Sequence, residues 1–184
     1  HGETFPASTK VTFQFPARGR RPAVTLYWYD GDAYTPPHPK EVKEGEETIP
    51  VPGWRPGKQV GAMVVGDKGT IVYGSHGARD WRILGEGKMA EYMGDRKRVP
   101  EAIEPGPPPN KKHLAEWLSA CKGWKVANSN FDYGAPLAEI AMLGNIAIRM
   151  LGTELNYDSK NMTFPHQPAA NQYLHTQYRD GYSL

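Results

Sequence analysis

The stretch Ser129-Asn130-Phe131-Asp132-Tyr133-Gly134-Ala135-Pro136-Leu137-Ala138-Glu139-Ile140 feeds a long apolar run that closes with Ile148-Arg149-Met150-Leu151-Gly152. Leu137, Ile140, Leu143, Ile146, Ala147, Ile148 and Leu151 recur at helical spacing and cover much of the circumference, so the pattern predicts a central, largely buried helix. Its start is set at about Pro136, a first-turn proline whose missing N–H removes no helical hydrogen bond there. Its end is set at Leu151, with Gly152 as the C-terminal cap. Ala141, Gly144 and Ala147 leave room for a sheet or a second helix to approach closely.

Upstream of this helix, Asn110 reads as the N-cap of another. Leu114, Trp117, Leu118 and Cys121 build its apolar face and Gly123 ends it. Residues 100–109 hold five prolines and read as an extended connector. Downstream, Leu155 to Tyr157 reads as a short strand and Pro168 to Leu174 as a short helix. The first part of the chain changes period. Val11, Phe13 and Phe15 alternate with Thr12 and Gln14, and Val24, Leu26 and Trp28 with Thr25, Tyr27 and Tyr29. This two-residue period predicts an antiparallel pair of strands joined through residues 16–22. Asp30-Gly31-Asp32 turns the chain into a Pro- and Gly-rich loop from Ala33 to Lys58. Val60 to Val65 and Thr70 to Tyr73 form a hairpin around Gly66-Asp67-Lys68-Gly69, and Trp81 to Leu84 adds a further strand.

The 184 residues fit one domain, residues 1–184, with a single core. A hydrophobic fraction of 39% with 23% charged residues excludes a disordered chain, while 20 Gly and 17 Pro predict many loops. Twenty-two basic and 20 acidic residues give a formal charge of +2, which supplies no global field for nucleic acid or an anionic membrane. No apolar run is long enough to span a bilayer. The lone Cys121 excludes an internal disulfide framework and leaves the compartment undecided. A chain that opens His1-Gly2-Glu3 and runs quickly into strand-like sequence reads as a piece of a longer protein.

Gly85-Glu86-Gly87-Lys88-Met89-Ala90 matches the G-x-G-x-x-A dinucleotide fingerprint in letters only. Gly94 and Pro100 interrupt any helix after it, so it is read as a loop and no cofactor site is assigned to this chain. The six histidines show no metal-ligand spacing, and no metal site is expected. No G-x-S-x-G elbow occurs, and Cys121 falls on an apolar helical face, so no catalytic residue is assigned. Tyr73, His76 and Arg79 form the best candidate rim of a substrate pocket, because a loop just past a strand end commonly carries binding groups. A solvated turn accounts for His76 as well. Arg18, Arg20 and Arg21 could meet an acidic group or simply be solvated. Tyr27, Trp28, Tyr29 and Trp54 could stack on a sugar ring or belong to a core.

In order, Phe15-Pro16-Ala17-Arg18-Gly19, Leu26-Tyr27-Trp28-Tyr29-Asp30-Gly31, Gly66-Asp67-Lys68-Gly69-Thr70 and Ser129-Asn130-Phe131-Asp132-Tyr133 form a series. Ala170-Asn171-Gln172-Tyr173-Leu174 and Tyr178-Arg179-Asp180-Gly181-Tyr182 continue it. The series resembles the bacterial-type C-terminal domain of the glucose-fructose oxidoreductase, inositol dehydrogenase and MocA (Gfo/Idh/MocA) family. The resemblance implies an α+β, two-layer domain whose open, mainly antiparallel sheet carries helices on one face. It also implies a parent with an N-terminal Rossmann domain, absent from this chain, that holds NAD or NADP. The C-terminal domain would then shape a sugar or polyol pocket and make a homo-oligomer through its sheet face. The family's Glu-Lys-Pro lysine and Asp-x-x-x-His histidine have no counterpart here, so this chain alone is expected to be inactive. The alternative expectation is a stand-alone carbohydrate-binding or assembly module. For the parent, simple dehydrogenation and NAD-assisted glycoside cleavage both stay open.

Overall fold

A computed structural model describes residues 4–34, 39–44, 46–51, 54–55, 58–59, 61–74, 81–94, 109–176 and 178–182. In chain order the strands are β1 (Thr9–Phe15), β2 (Val24–Asp30), β3 (Glu41–Glu44), β4 (Glu47–Pro50), β5 (Trp54–Arg55), β6 (Lys58–Gln59), β7 (Ala62–Val65), β8 (Thr70–Tyr73) and β9 (Arg82–Leu84). The helices α1 (Lys88–Gly94), α2 (Pro109–Cys121) and α3 (Phe131–Arg149) follow, and a 3-10 helix (Pro168–Tyr173) is the last described element. Helices and antiparallel strands in small open sheets make this an α+β architecture. The chain divides into two compact units, residues 1–29 with 106–184 and residues 30–105.

In the first unit, Thr9, Val11 and Phe13 of β1 turn inward while Lys10, Thr12 and Gln14 stay exposed, as a half-buried strand requires. β2 pairs with β1 in a two-stranded sheet, but Val24, Leu26 and Trp28 remain exposed. The connection is a tight turn. Arg18 and Arg21 exchange N–H···O bonds of 3.0 Å, and Gly19 takes φ +59, the left-handed conformation a primed turn needs at its first central position.

α2 begins at Pro109, so Asn110 lies inside its first turn rather than capping it. Its C-terminus is a Schellman motif. Gly123 at φ +70 donates to Ala120, and Trp124 donates back to Ser119. Leu114, Trp117, Leu118 and Cys121 are all exposed.

α3 starts five residues before the position expected from Pro136. Asn130 is the true N-cap: its side chain accepts from the Tyr133 N–H at 3.2 Å, and its carbonyl accepts from Gly134 at 2.8 Å. Pro136 is therefore the sixth helical residue, and the Asp132 carbonyl lacks its amide donor. The expectation of a largely buried helix also needs correction. Leu137, Met142 and Leu151 are exposed, and burial is concentrated at Gly144 and Ile146. Gly144 faces β1: a Cβ there would meet Phe13 Cζ at 3.4 Å, so the small residue sets the helix-to-strand distance. Met150 caps the helix and Gly152 follows at φ +76.

The core of this unit is Ile146, Phe164 and Ala170, with Leu143, Met150, Leu155, Tyr157 and Leu174 packed around them. Leu155 to Tyr157 is irregular rather than a strand; its nearest ladder element is a single bridge between Asp158 and Thr163. An isolated bridge of this kind holds a loop without extending a sheet.

In the second unit, the segment expected as a loop from Ala33 to Lys58 contains two short antiparallel pairs. β3 and β4 align Glu41 with Pro50 and Glu44 with Glu47, and β5 and β6 align Trp54 with Gln59. Val51, just past β4, is buried and donates to the Lys40 carbonyl at 2.9 Å. The β7-β8-β9 sheet is antiparallel throughout, with Ala62 opposite Tyr73 and Thr70 opposite Leu84. Val72, completely buried, anchors it. Gly85 to Gly87 is a turn, as expected, but Lys88 to Ala90 opens a helix: two glycines at positive φ lead into α1, which docks by a T-shaped contact between Trp81 and Tyr92 at 5.2 Å.

Two substitutions test these local readings. Pro136→Ala restores an amide donor at an exposed site and is expected to raise unfolding free energy by about 1–3 kcal/mol in urea denaturation. Gly61→Ala is expected to lower it by about 1–3 kcal/mol. Gly61 sits at φ +136, and a Cβ there would collide with the Tyr73 carbonyl.

Candidate functional site

Tyr73 ends β8 as a half-buried side chain, one residue beyond the anchor Val72. Because strand side chains alternate, Tyr73 and Val72 lie on opposite faces of the sheet. Gly61 packs directly on the Tyr73 carbonyl and on Gly74, whose Cα lies 3.2 Å from the position of a Gly61 Cβ. This close approach fixes where the chain leaves the sheet. His76 and Arg79 lie outside the described residues. Of the expected rim, Tyr73 is thus the member whose position is defined.

The G-x-G-x-x-A segment differs in setting from a nucleotide fingerprint. β9, which precedes it, pairs antiparallel with β8, and α1 is seven residues long. A fingerprint glycine turn instead joins parallel strands through a longer helix. Here Lys88 Nζ binds Glu91 Oε2 at 2.8 Å, a bond that lowers the Glu91 carboxyl below its usual value. Met89 Sδ accepts from the Ile83 N–H at 3.3 Å and ties the helix to its strand. Among the described residues, no group of three or more His, Cys, Asp or Glu could hold a metal ion, and no helix is long and apolar enough to cross a membrane.

Tyr27 and Tyr29 of β2 share a sheet face with the exposed Lys10. Tyr27 and Tyr29 stack with centroids 6.4 Å apart, and Lys10 Nζ lies over both rings at 5.3 and 5.7 Å. The two rings and an ammonium form one amphipathic surface, the type that meets a sugar through its C–H face. Trp28 is half exposed on the opposite face of the same strand.

A polar cluster that sequence reading missed lies at the end of the first unit. Tyr157 Oη donates to Glu139 Oε1 at 2.7 Å, linking the irregular segment to α3. Burial pushes the Tyr157 phenol up to about 12; the bond to Glu139 and the charges of Glu139 and Asp158 push the same way. Asp158 accepts from the backbone N–H groups of Lys160 and Asn161 and from Asn161 Nδ2 at 2.7 Å. The Asn161 side chain, then its backbone N–H, holds the Asp158 carboxyl below its ordinary value. These bonds close the loop in which Met162 takes φ +49, a rare conformation for a residue with a side chain. Asn171 finishes the cluster, accepting from Phe164 N at 2.8 Å and Thr163 Oγ1 at 3.2 Å and donating to the Phe164 carbonyl. The arrangement braces the core and keeps the phenol protonated. Its one legible signal is Glu139, the sole charged residue between Asp132 and Arg149 on an otherwise apolar helix.

No family model, curated protein or solved structure matches this chain.

Tyr157→Phe leaves the Glu139 carboxylate without its donor and is expected to destabilise the chain by about 1–3 kcal/mol at neutral pH. Because the folded phenol titrates above its ordinary value of 10.0, its contribution is complete below pH 10.0. It is lost as pH rises through about 12. Unfolding free energy should therefore fall over that interval in the parent chain and fall less in Tyr157→Phe. Asp158 has the opposite sign: its contribution is present above its ordinary value of 3.8 and disappears on acidification below it.

Proposed function

We propose that this chain is the substrate-side and oligomerisation domain of an NAD(P)-dependent sugar or polyol oxidoreductase of the Gfo/Idh/MocA type, inactive by itself. The observation that carries this reading is the order and spacing of the segments from Phe15-Pro16-Ala17-Arg18-Gly19 to Tyr178-Arg179-Asp180-Gly181-Tyr182. The α+β architecture supports it, as does the close approach of α3 to β1 at Gly144, the contact a helix makes when it covers one face of an open sheet. In this reading the nucleotide is held by a Rossmann domain on the parent, and hydride transfer belongs there. Tyr73, with His76 and Arg79, contributes to the sugar or polyol pocket, and the sheet face turned away from α3 meets a second copy.

The second reading, a stand-alone carbohydrate-binding or assembly module, is favoured by the stacked pair Tyr27 and Tyr29. One comparison separates the two. NADH fluorescence titration of this polypeptide is expected to show no binding, and micromolar affinity would sink the first reading. Titration with neutral oligosaccharides is expected to be insensitive to Tyr27→Ala; a loss of saccharide binding in that variant would move the assignment to the second.

A further inference from the structure

The β1–β2 hairpin carries charge of one sign. Residues 4–29 contain Lys10, Arg18, Arg20 and Arg21 and no Asp or Glu, so a chain of net charge +2 holds four positive charges in this segment. Three of them fall within the turn. Arg18 and Arg21 exchange both main-chain hydrogen bonds and are therefore directly opposed across the ribbon. Residues paired in this way project their side chains to one face, with Cα atoms about 5.5 Å apart. Arg20 lies between them in the two-residue loop. All three side chains are exposed, and among the described residues no carboxylate pairs with any of them.

Like charges directly opposed across a strand pair destabilise it, and one acidic neighbour would relieve the repulsion. The hairpin supplies none. A solvated turn accounts for arginines scattered along a loop, whereas two whose backbones are held in register start from one face, with no carboxylate among the described residues to neutralise them. A guanidinium presents parallel N–H donors that match two oxygens of a phosphate or carboxylate. Two guanidinia side by side match a group with three terminal oxygens and about two negative charges better than a carboxylate, which one fork saturates.

We infer that the tip of the β1–β2 hairpin is an anion-binding site that takes a phosphate group, as inorganic phosphate or a small phosphate monoester, between Arg18 and Arg21. This site lies within the first unit and does not rest on the proposed function. Backbone amide NMR shifts of the full chain at low ionic strength test it, with inorganic phosphate, a hexose monophosphate, acetate and a short single-stranded oligonucleotide as probes, and chloride matching the ionic strength. Saturable shifts centred on residues 18–21 are expected with phosphate and with the monoester; equal affinity for the two makes the free ion sufficient, and tighter monoester binding adds contacts to the sugar. Arg18→Gln with Arg21→Gln should weaken both by roughly tenfold or more, while Lys160→Gln should not. Shifts that follow ionic strength alone, acetate binding as tightly as phosphate, or unchanged affinity in the double variant would overturn the assignment. So would oligonucleotide binding without phosphate binding, which would point to a polyanion surface instead. Should the double variant disturb the hairpin, the anion series on the unsubstituted chain decides by itself.

Discussion

Phe164 is 1% exposed, yet it belongs to no helix or strand, and its burial is what holds the end of the first unit together. A buried aromatic in irregular backbone raises a specific difficulty, because its own N–H and C=O must be satisfied without a ladder or a helical turn. Asn171 meets both needs with one side-chain amide, accepting from the Phe164 N–H and donating to its carbonyl. Removing that ring from water contributes roughly 1.5–3 kcal/mol. It keeps this contribution only while Asn171 stays in place, and the 3-10 helix that carries Asn171 is itself anchored by the fully buried Ala170. The C-terminal half of α3, the loop closed by Asp158 and the 3-10 helix therefore depend on one another through a single buried ring.

How far the sequence predicted this architecture follows from the range of the forces involved. β1, β2, β7, β8 and β9 were legible because alternation and glycine turns are local signals. The existence of α3 was legible too, but its start was not. The helix begins five residues before Pro136, where the capping bonds of Asn130 outweigh the preference of proline for a first turn. The pairs β3–β4 and β5–β6 are two to four residues long, too short to express a period, and stand among prolines that signal a loop. Leu155 to Tyr157 has the composition of a strand but makes no ladder, which composition cannot reveal.

The candidate site divides along the same line. Tyr73 was marked by its place at a strand end, and the structure puts it there, half-buried. Tyr157 and Glu139 stand 18 residues apart on dissimilar elements, so nothing in local pattern joins a phenol to that carboxylate. The hairpin arginines were visible as a basic run, but their direct opposition is a matter of register, fixed by Gly19 and the two bonds across the turn. Register places both arginines on one face of the ribbon.

The approach of α3 to β1 makes positions 13 and 144 a single steric unit. A methyl group at 144 would just touch the Phe13 ring at 3.4 Å, so anything larger there requires a shorter side chain on the strand. Volume can be exchanged between the two positions but not added to either, and their substitutions should be strongly non-additive. In any set of related sequences, the helix residue and the strand residue should drift together, one growing as the other shrinks, although 131 residues of chain separate them.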